Sequence, residues 1–101
     1  MGKLPMAYRF EWNPEKARSN LVKHGVSFDE ASTVFDDPLA RIFDDEPHSV
    51  KELREIIIGH SISDRLLVVC FIERPSETIR IISARPNTPK ERKRYEENVD
   101  I

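Results

Sequence analysis

The chain has 101 residues, of which 39% are hydrophobic and 34% charged, with a formal net charge of −2. This length fits one domain with a modest core, because such a domain buries only about 60–70% of the surface of its unfolded chain. The composition argues against a disordered chain, no apolar run approaches the ~20 residues of a membrane-spanning helix, and the net charge argues against a protein that coats nucleic acid.

The N-terminus and the cysteine content bear on domain organisation and location. Residues 1–8 lack the long apolar stretch of a secretory signal. We interpret them as a flexible tail of a single domain that takes up residues 1–101. The single cysteine, Cys70, cannot form a disulfide within the chain, so a reducing cytoplasm is the expected location. Because Cys70 lies in an apolar strand pattern, we interpret it as a small buried side chain.

The first predicted elements are a short strand and a helix. Residues 10–12 have the pattern of a strand or an extended segment. Asn13 is the expected N-cap of the helix, with Pro14 at its first position, because the asparagine oxygen accepts free amide hydrogens and proline has none. The helix is predicted to end near His24, because Gly25 readily adopts the left-handed conformation.

A second helix is predicted directly after the first. Ser27 and Glu30 have the spacing of a capping box, and apolar residues at helical spacing follow them. The pair Asp37-Pro38 is expected to end this helix, because the residue before a proline avoids the helical conformation.

The rest of the chain predicts several strands and one closing helix. The turns between the strands are short, which favours antiparallel hairpins. Strands grouped after helices indicate the α+β class, so we expect a twisted antiparallel β-sheet with two N-terminal helices and one C-terminal helix packed on one face. The predicted elements are strands at residues 39–43, 52–60, 66–73 and 78–85, and a helix from residue 88 to about residue 98.

The sequence lacks the spacing of common metal and cofactor motifs. The three histidines, His24, His48 and His60, are far apart and form no metal-ligand pair with each other. The three glycines stand alone, which argues against a glycine-rich phosphate loop. We therefore expect no metal and no cofactor, and we interpret the histidines as surface or capping residues.

One segment carries a charge opposite to that of the whole chain. Residues 80–95 hold six cationic side chains and one anionic one, a local formal charge of +5. The solvated face of a helix would accommodate Lys90, Arg92, Lys93 and Arg94, and we prefer this interpretation for Lys90 and Lys93. Arg80 and Arg85 lie in an apolar strand with opposite parity, so both reach one site only if the strand bends or ends near residue 84. The alternative for Arg80 is a solvent-facing arginine or a structural ion pair.

Arginine, lysine, histidine and tyrosine without a metal suit RNA cleavage by the RNA's own 2′-hydroxyl. This reaction needs a proton acceptor, a proton donor and cations over the developing charge, and a guanidinium binds two phosphate oxygens at once. Tyr95 can exchange protons if neighbouring cations lower its pKa. Its structural alternative is a ring packed on the sheet, and Glu91, four positions earlier, would close a capping box. Composition permits this mechanism without establishing it.

Three sequence blocks together resemble one protein family. They are the opening FEWNPEK at residues 10–16, the junction KHGVSF at residues 23–28 and the ending IRIISAR at residues 79–85. With IIIGHS and RLLVV between them, in order and at ordinary spacing, the chain from Phe10 to Glu97 is similar to the BrnT family. These proteins are the toxin halves of bacterial type II toxin–antitoxin pairs.

The resemblance implies a RelE-like ribonuclease fold and a small cytoplasmic endoribonuclease that blocks translation when it is free. It also implies a BrnA-type antitoxin whose DNA-binding part carries the complex to its own promoter. The +5 segment would line an RNA cleft. Pro86-Asn87 departs from the basic or small residue expected after Arg85, which affects the corner between strand and helix. The implied catalytic residues are Lys23, Arg65, Arg80, Arg85 and Tyr95, and we expect Arg92, Arg94 and His24 to bind the substrate.

Two other functions fit the same residues. A noncatalytic nucleic-acid-binding or regulatory module would use the cations for backbone contacts, so its affinity would fall with salt while the RNA stayed intact. A toxin scaffold that has lost its activity would still bind an antitoxin, but it would not arrest growth.

Overall fold

The computed structural model describes residues 8–45 and 52–99. Among these residues, no helix combines the length and the apolar character needed to cross a membrane. The elements begin and end close to where the local sequence signals place them. The strands are β1 (Arg9–Glu11), β2 (Arg41–Asp44), β3 (Glu55–His60), β4 (Leu66–Arg74) and β5 (Thr78–Pro86), and the helices are α1 (Pro14–His24), α2 (Phe28–Thr33), a 3₁₀ turn (Val34–Asp36) and α3 (Pro89–Val99).

The five strands form one sheet in the order β1-β5-β4-β3-β2. Strands β2 to β5 pair antiparallel, as their short connections predict. Strand β1 pairs parallel with β5, with Phe10 opposite Ile79. The α+β class is confirmed, but the sheet is mixed rather than wholly antiparallel. Two helices separate β1 from the other strands, and such a long connection allows a parallel pairing that no local pattern reveals.

Helix α1 has the ends that the sequence predicts. The side chain of Asn13 accepts hydrogen bonds from the Glu15 and Lys16 amides at 2.8 and 3.1 Å. Gly25 ends the helix with φ 71°, and its amide donates to the Leu21 carbonyl. These contacts satisfy backbone groups that have no partner inside the helix.

Helices α1 and α2 cover one face of the sheet, here called the helix face. Phe28, Ala31 and Val34 are almost wholly buried there. The second helix changes from α to 3₁₀ geometry after Thr33, so its last turn is tighter than the apolar spacing suggested. The same core contains Ile57, Leu67, Val69, Phe71, Ile79, Ile81 and Ala84 from the strands, and Phe10 and Trp12 pack against it.

The closing helix packs on the other face of the sheet, here called the open face. Tyr95 of α3 is 5% exposed and shares a second core with Ile58, Leu66 and Val68. The expectation that all helices pack on one face is therefore wrong. The alternation of strand residues explains the difference, because Ile57 and Ile58 point to opposite faces and both are buried, so each face needs its own cover.

Candidate functional site

A β-bulge in β5 places both candidate arginines of that strand on the open face. Ile81 pairs with Phe71 and Ser83 with Cys70, so Ile82 is an extra residue without a partner. The extra residue reverses the alternation of side chains along the strand. Arg80 pairs with Ile72 and Arg85 with Val68, four positions apart on the regular strand β4. Residues directly opposite each other in a sheet share a face, so both arginines do.

A cavity of about 240 Å³ lies on the open face beside the bulge. Arg85 and Ser83 of β5 line it together with Arg54, which directly precedes β3. The rest of its wall is formed by Asp45, Ile56, Val68, Cys70 and Ile82. The cavity therefore combines two guanidinium groups with one carboxylate, a hydroxyl and an apolar floor.

Arg85 is held at the base of α3 by Glu91. Its two terminal nitrogens donate hydrogen bonds of 2.9 and 2.7 Å to the two carboxylate oxygens. Glu91 also accepts from the Thr88 amide at 2.8 Å, so it closes the predicted capping box. The hydrogen bonds from Arg85, followed by that from Thr88, hold the pKa of Glu91 below its usual value against the effect of burial. The guanidinium is thus aimed at the strand–helix corner.

Arg80 forms the ion pair that was the structural alternative for it. Its Nη1 lies 3.0 Å from Oε2 of Glu11 on the neighbouring strand β1. Both side chains are about 40% exposed, with values of 38% and 42%, so water screens the pair and leaves Arg80 accessible from the open face.

The other two arginines of the +5 segment lie on α3. Arg94 stacks on the Phe43 ring, with 3.8 Å from its guanidinium carbon to the ring centroid. Phe43 pairs with Ile56, a residue of the cavity wall, so Arg94 borders the cavity. Arg92 is exposed and lies 3.6 Å from Glu96. Both arginines therefore remain candidates for contacts along a bound RNA.

Tyr95 lies in a polar cluster at the end of β3. Its hydroxyl donates to Oδ2 of Asp37 at 3.0 Å and lies 3.2 Å from Nδ1 of His60. Burial and the hydrogen bond to Asp37 raise the pKa of Tyr95 to about 12. The condition for proton exchange at neutral pH, a pKa lowered by neighbouring cations, is therefore not met at Tyr95 in this structure. His60, by contrast, is part-exposed and lines a shallow cavity with Thr33, Asp36 and Ser61.

Asp37 is brought to this cluster by a close approach of two backbones. Its Oδ2 accepts the His60 amide at 2.8 Å. A Cβ atom at Gly59 would lie 2.9 Å from Cβ of Ala40 and 3.0 Å from this oxygen, so only glycine lets the segment after α2 pack on β3 here. Burial acts to raise the pKa of Asp37, but the hydrogen bonds from the His60 and Leu39 amides and from Tyr95 keep it below its usual value.

Arg65 lies apart from the open-face cavity and is held by the helices. Its guanidinium donates to both oxygens of Glu30 and, at 3.0 Å, to the Gly25 carbonyl. The hydrogen bond from Arg65 is the main reason that the pKa of Glu30 is lowered. Lys23 and His24 occupy the last turn of α1 immediately before Gly25. The structure thus groups Arg65 with the end of α1, and places Arg80 and Arg85 together elsewhere.

Three polar residues near these sites were not singled out from the sequence. Arg54 and Ser83 belong to no recognisable sequence motif, and His60 was interpreted as a surface or capping residue. Ordinary alternation of side chains places Ser83 on the same face as Arg85, two residues later, whereas the contact of His60 with Tyr95 spans 35 positions. His48 lies outside the described residues. Within residues 8–45 and 52–99, no three His, Cys, Asp or Glu side chains form a group that could hold a metal ion.

Cys70 lines the open-face cavity rather than lying wholly buried. It is a free thiol of intermediate exposure, and its Sγ lies 3.8 Å from Oδ2 of Asp45. Burial, followed by the charge of Asp45, raises the pKa of Cys70 to about 11. The thiol is therefore protonated at neutral pH, which agrees with its interpretation as an unreactive side chain.

Comparisons with known proteins agree on one family. The chain resembles the crystal structure of the Brucella abortus ribonuclease toxin BrnT with a TM-score of 0.62 and 23% sequence identity, over 81% of this chain and 99% of that one. At this identity the likeness shows the fold. No curated protein sequence matches the chain. The family model described as "Ribonuclease toxin, BrnT, of type II toxin-antitoxin system" matches residues 12–91. The chain therefore belongs to the BrnT family of type II toxin–antitoxin ribonuclease toxins.

Proposed function

We propose that this chain is an endoribonuclease that cleaves RNA without a metal ion and thereby inhibits translation. The observation that carries the proposal is the alignment of Arg80, Ser83 and Arg85 on the open face, beside a cavity that also contains Arg54. Guanidinium groups bind phosphate oxygens in pairs and keep their charge throughout a reaction. An open sheet face with several of them suits an RNA backbone.

The proposed reaction uses the 2′-hydroxyl of the RNA as the nucleophile. The 2′-oxygen forms a bond to phosphorus, and the bond from phosphorus to the 5′-oxygen of the next nucleotide breaks. A base takes the proton of the 2′-hydroxyl, and an acid protonates the departing oxygen, which leaves a 2′,3′-cyclic phosphate and a 5′-hydroxyl. Arg85 and Arg80 would stabilise the charge that develops on the phosphate, and each such preorganised donor contributes about 10²–10³ in rate.

For proton transfer we propose the pair His60 and Tyr95. With a pKa of about 12, Tyr95 keeps its proton at neutral pH. It can therefore donate a proton or hold the His60 ring, but it cannot serve as the base for the 2′-hydroxyl. Lys23, with His24 and Arg65 beside it, is proposed to contact or position phosphates at the end of α1, and Arg92 and Arg94 to bind RNA along α3.

We further propose that a BrnA-type antitoxin neutralises this toxin in the cytoplasm. Membership of a type II toxin–antitoxin family supports a protein antitoxin encoded beside the toxin. Binding of operator DNA would occur only through the antitoxin, since the toxin has a net charge of −2 and presents no overall positive charge to a duplex.

The test is cleavage of one RNA oligonucleotide by the purified chain with EDTA present. We expect cleavage with a 2′,3′-cyclic phosphate end, and we expect no cleavage when the nucleotide before the cut carries 2′-deoxyribose. Cleavage that requires a metal, or that persists on the deoxy substrate, contradicts the mechanism. RNA that is bound but intact, without growth arrest when the chain is expressed alone, favours the noncatalytic module.

A further inference from the structure

A second surface, on the helix face, combines an apolar cavity with carboxylates. The cavity measures about 210 Å³ and extends across the sheet from the outer strand β2 to β5. It is larger than the roughly 150 Å³ engineered cavity that holds benzene, so a leucine or phenylalanine side chain fits. Pro38, Ile42 and Glu73 in its wall are exposed, so it opens to solvent. Its apolar lining includes Tyr8, Phe35, Ile57, Phe71 and Ile79.

A row of carboxylates crosses the sheet next to this cavity. Asp44 of β2 lies directly opposite Glu55 of β3, and Glu55 lies opposite Phe71, two positions from Glu73 on β4. All three carboxylates share the helix face with Phe71, because side chains two apart on a strand or opposite each other point the same way. Like charges at such positions destabilise a sheet.

The electrostatics of Glu55 and Tyr8 show how close these carboxylates lie to one another. Burial, followed by its hydrogen bond with Glu73 and the charges of Glu73 and Asp44, raises the pKa of Glu55 to about 7. Tyr8, in the cavity wall, has its pKa raised by burial and then by the charges of Glu73, Glu77 and Glu55. Three carboxylates are therefore close together at the cavity mouth, and a cation placed there would relieve the repulsion between them.

We propose that this surface docks a basic segment of the antitoxin, which inserts one large apolar side chain into the cavity and places a lysine or arginine against Glu55 and Glu73. The proposal rests on the proposed function, because it assigns the partner of the toxin to a surface. The outward edge of β2 adds main-chain hydrogen-bonding groups, since β2 is the last strand of the sheet in the described part of the chain.

Charge complementarity selects this occupant over the others. RNA phosphates are repelled by the carboxylate row. A second copy of the chain, related by a two-fold axis, would bring the same carboxylates against each other. A basic protein segment is attracted by the row of carboxylates, and its apolar side chain fills the cavity. Because Arg80 and Arg85 lie on the opposite face, this contact would anchor the antitoxin without occupying the RNA-binding arginines.

The test measures antitoxin affinity with matched charge variants of the full chain. The probe is the purified protein encoded by the neighbouring reading frame. The double variant Glu55→Gln with Glu73→Gln keeps both side-chain shapes and removes the charges. The control, Glu15→Gln with Glu97→Gln, removes two exposed carboxylates from the helices. We expect the first variant to lose at least tenfold in affinity and the control to stay within twofold.

Hydrogen exchange of the wild-type complex provides a measurement that does not depend on a variant. We expect the antitoxin to protect the amides of β2 and of the first half of β3. Protection confined to β5 and α3, or equal affinity of the two double variants, overturns the docking surface. Dimerisation of the wild-type chain that the Glu55→Gln, Glu73→Gln variant abolishes assigns the surface to a second copy instead and overturns the proposal.

Wild-type RNA cleavage separates the failure of this inference from that of the proposed function. A chain that cleaves RNA but binds no antitoxin overturns the docking proposal and leaves the nuclease intact. A chain that binds the antitoxin through this surface but leaves RNA intact supports the docking proposal and contradicts the nuclease.

Discussion

Arg80 and Arg85 lie on the same face of the sheet, although their positions along β5 have opposite parity. The extra residue Ile82 between them reverses the alternation of side chains. Their partners on β4 are four residues apart, so the two arginines are separated by roughly 13 Å along the strand. In the proposed reaction the two long side chains converge on the scissile phosphate from the two ends of this interval.

Replacing Arg80 by alanine should reduce RNA cleavage by about 10² or more in kcat/KM, because the proposed reaction uses this cation to stabilise the charge that develops on the phosphate. The stability should fall by no more than about 1 kcal/mol, since the pair with Glu11 is screened by water. Cleavage assays and urea unfolding measure both effects, with Arg18→Ala on exposed α1 as the control. Loss of folding in Arg80→Ala would instead identify a structural ion pair.

Replacing Glu91 by glutamine should tighten RNA binding several-fold at low salt, because it releases Arg85 from a charged partner. The amide oxygen can still accept from the Thr88 amide, so the cap of α3 is kept at a cost of about 1 kcal/mol. Fluorescence anisotropy with a fully 2′-deoxy or 2′-O-methyl strand measures the affinity without cleavage. The matched control is Glu96→Gln, which changes the partner of Arg92. Equal affinities of the two variants would argue that Arg85 does not contact the RNA backbone.

Replacing Arg65 by alanine should destabilise the fold, because Glu30 and the Gly25 carbonyl both lose the guanidinium that donates to them. We expect a loss of about 1–2 kcal/mol, a value reduced because the side chain is partly exposed. Thermal unfolding and cleavage should be measured on the same preparation. If Arg65 has only this structural role, cleavage by the folded fraction stays near the wild-type value. A large loss of cleavage at unchanged stability would establish the role in phosphate binding that the family resemblance implies.

Replacing Tyr95 by phenylalanine should cost about 1–2 kcal/mol, because the hydroxyl donates to the charged Asp37 while the ring packing is retained. Without this donor the pKa of Asp37 should move upward, which carboxyl NMR titration detects. If Tyr95 positions His60, then His60→Ala should reduce cleavage at least as much as Tyr95→Phe does. A greater loss in Tyr95→Phe would identify the phenol as the proton donor itself.

Replacing Glu55 by glutamine should stabilise the protein above neutral pH. In the folded state Glu55 has its pKa raised to about 7 from an ordinary value of 4.5, so between these pH values the folded chain holds a proton that the unfolded chain has released. The free energy of unfolding contributed by this group therefore falls as pH rises through that window. After allowance for solvent screening we expect a gain of about 1 kcal/mol at pH 8 and none below pH 4. Denaturant unfolding at several pH values tests this, with Glu97→Gln expected to show no such slope.

Local sequence signals predicted most element boundaries because the interactions that set them are themselves local. Asn13, Ser27 and Glu91 each hydrogen-bond to backbone amides within three residues, so their spacing in the sequence is their spacing in the structure. The same holds for Gly25, whose left-handed conformation is a property of a single residue. A continuous apolar run likewise predicted β4, which is buried on both faces.

The arrangement of the elements could not be obtained from these signals. The parallel pairing of β1 with β5 depends on residues about 70 positions apart, as in the pair Arg80 and Glu11. The buried side chain of Asn20 makes a second long-range contact that local signals do not predict. It donates to the Ala84 carbonyl at 2.7 Å and accepts from the Ala84 amide at 3.1 Å, which joins α1 to the end of β5. No local pattern marks either contact.

The sequence by itself therefore determined the α+β class, the caps, the strands and, through the resemblance, the family. Only the tertiary structure decided which residues meet. It placed α3 on the open face, aligned Arg80 with Arg85 through an unpaired Ile82, joined Tyr95 to His60 and Asp37, and held Arg65 beside Glu30. The physical reason is range, since caps and turns are settled within a few residues, whereas sheet register, bulges and ion pairs depend on contacts between distant segments of the chain.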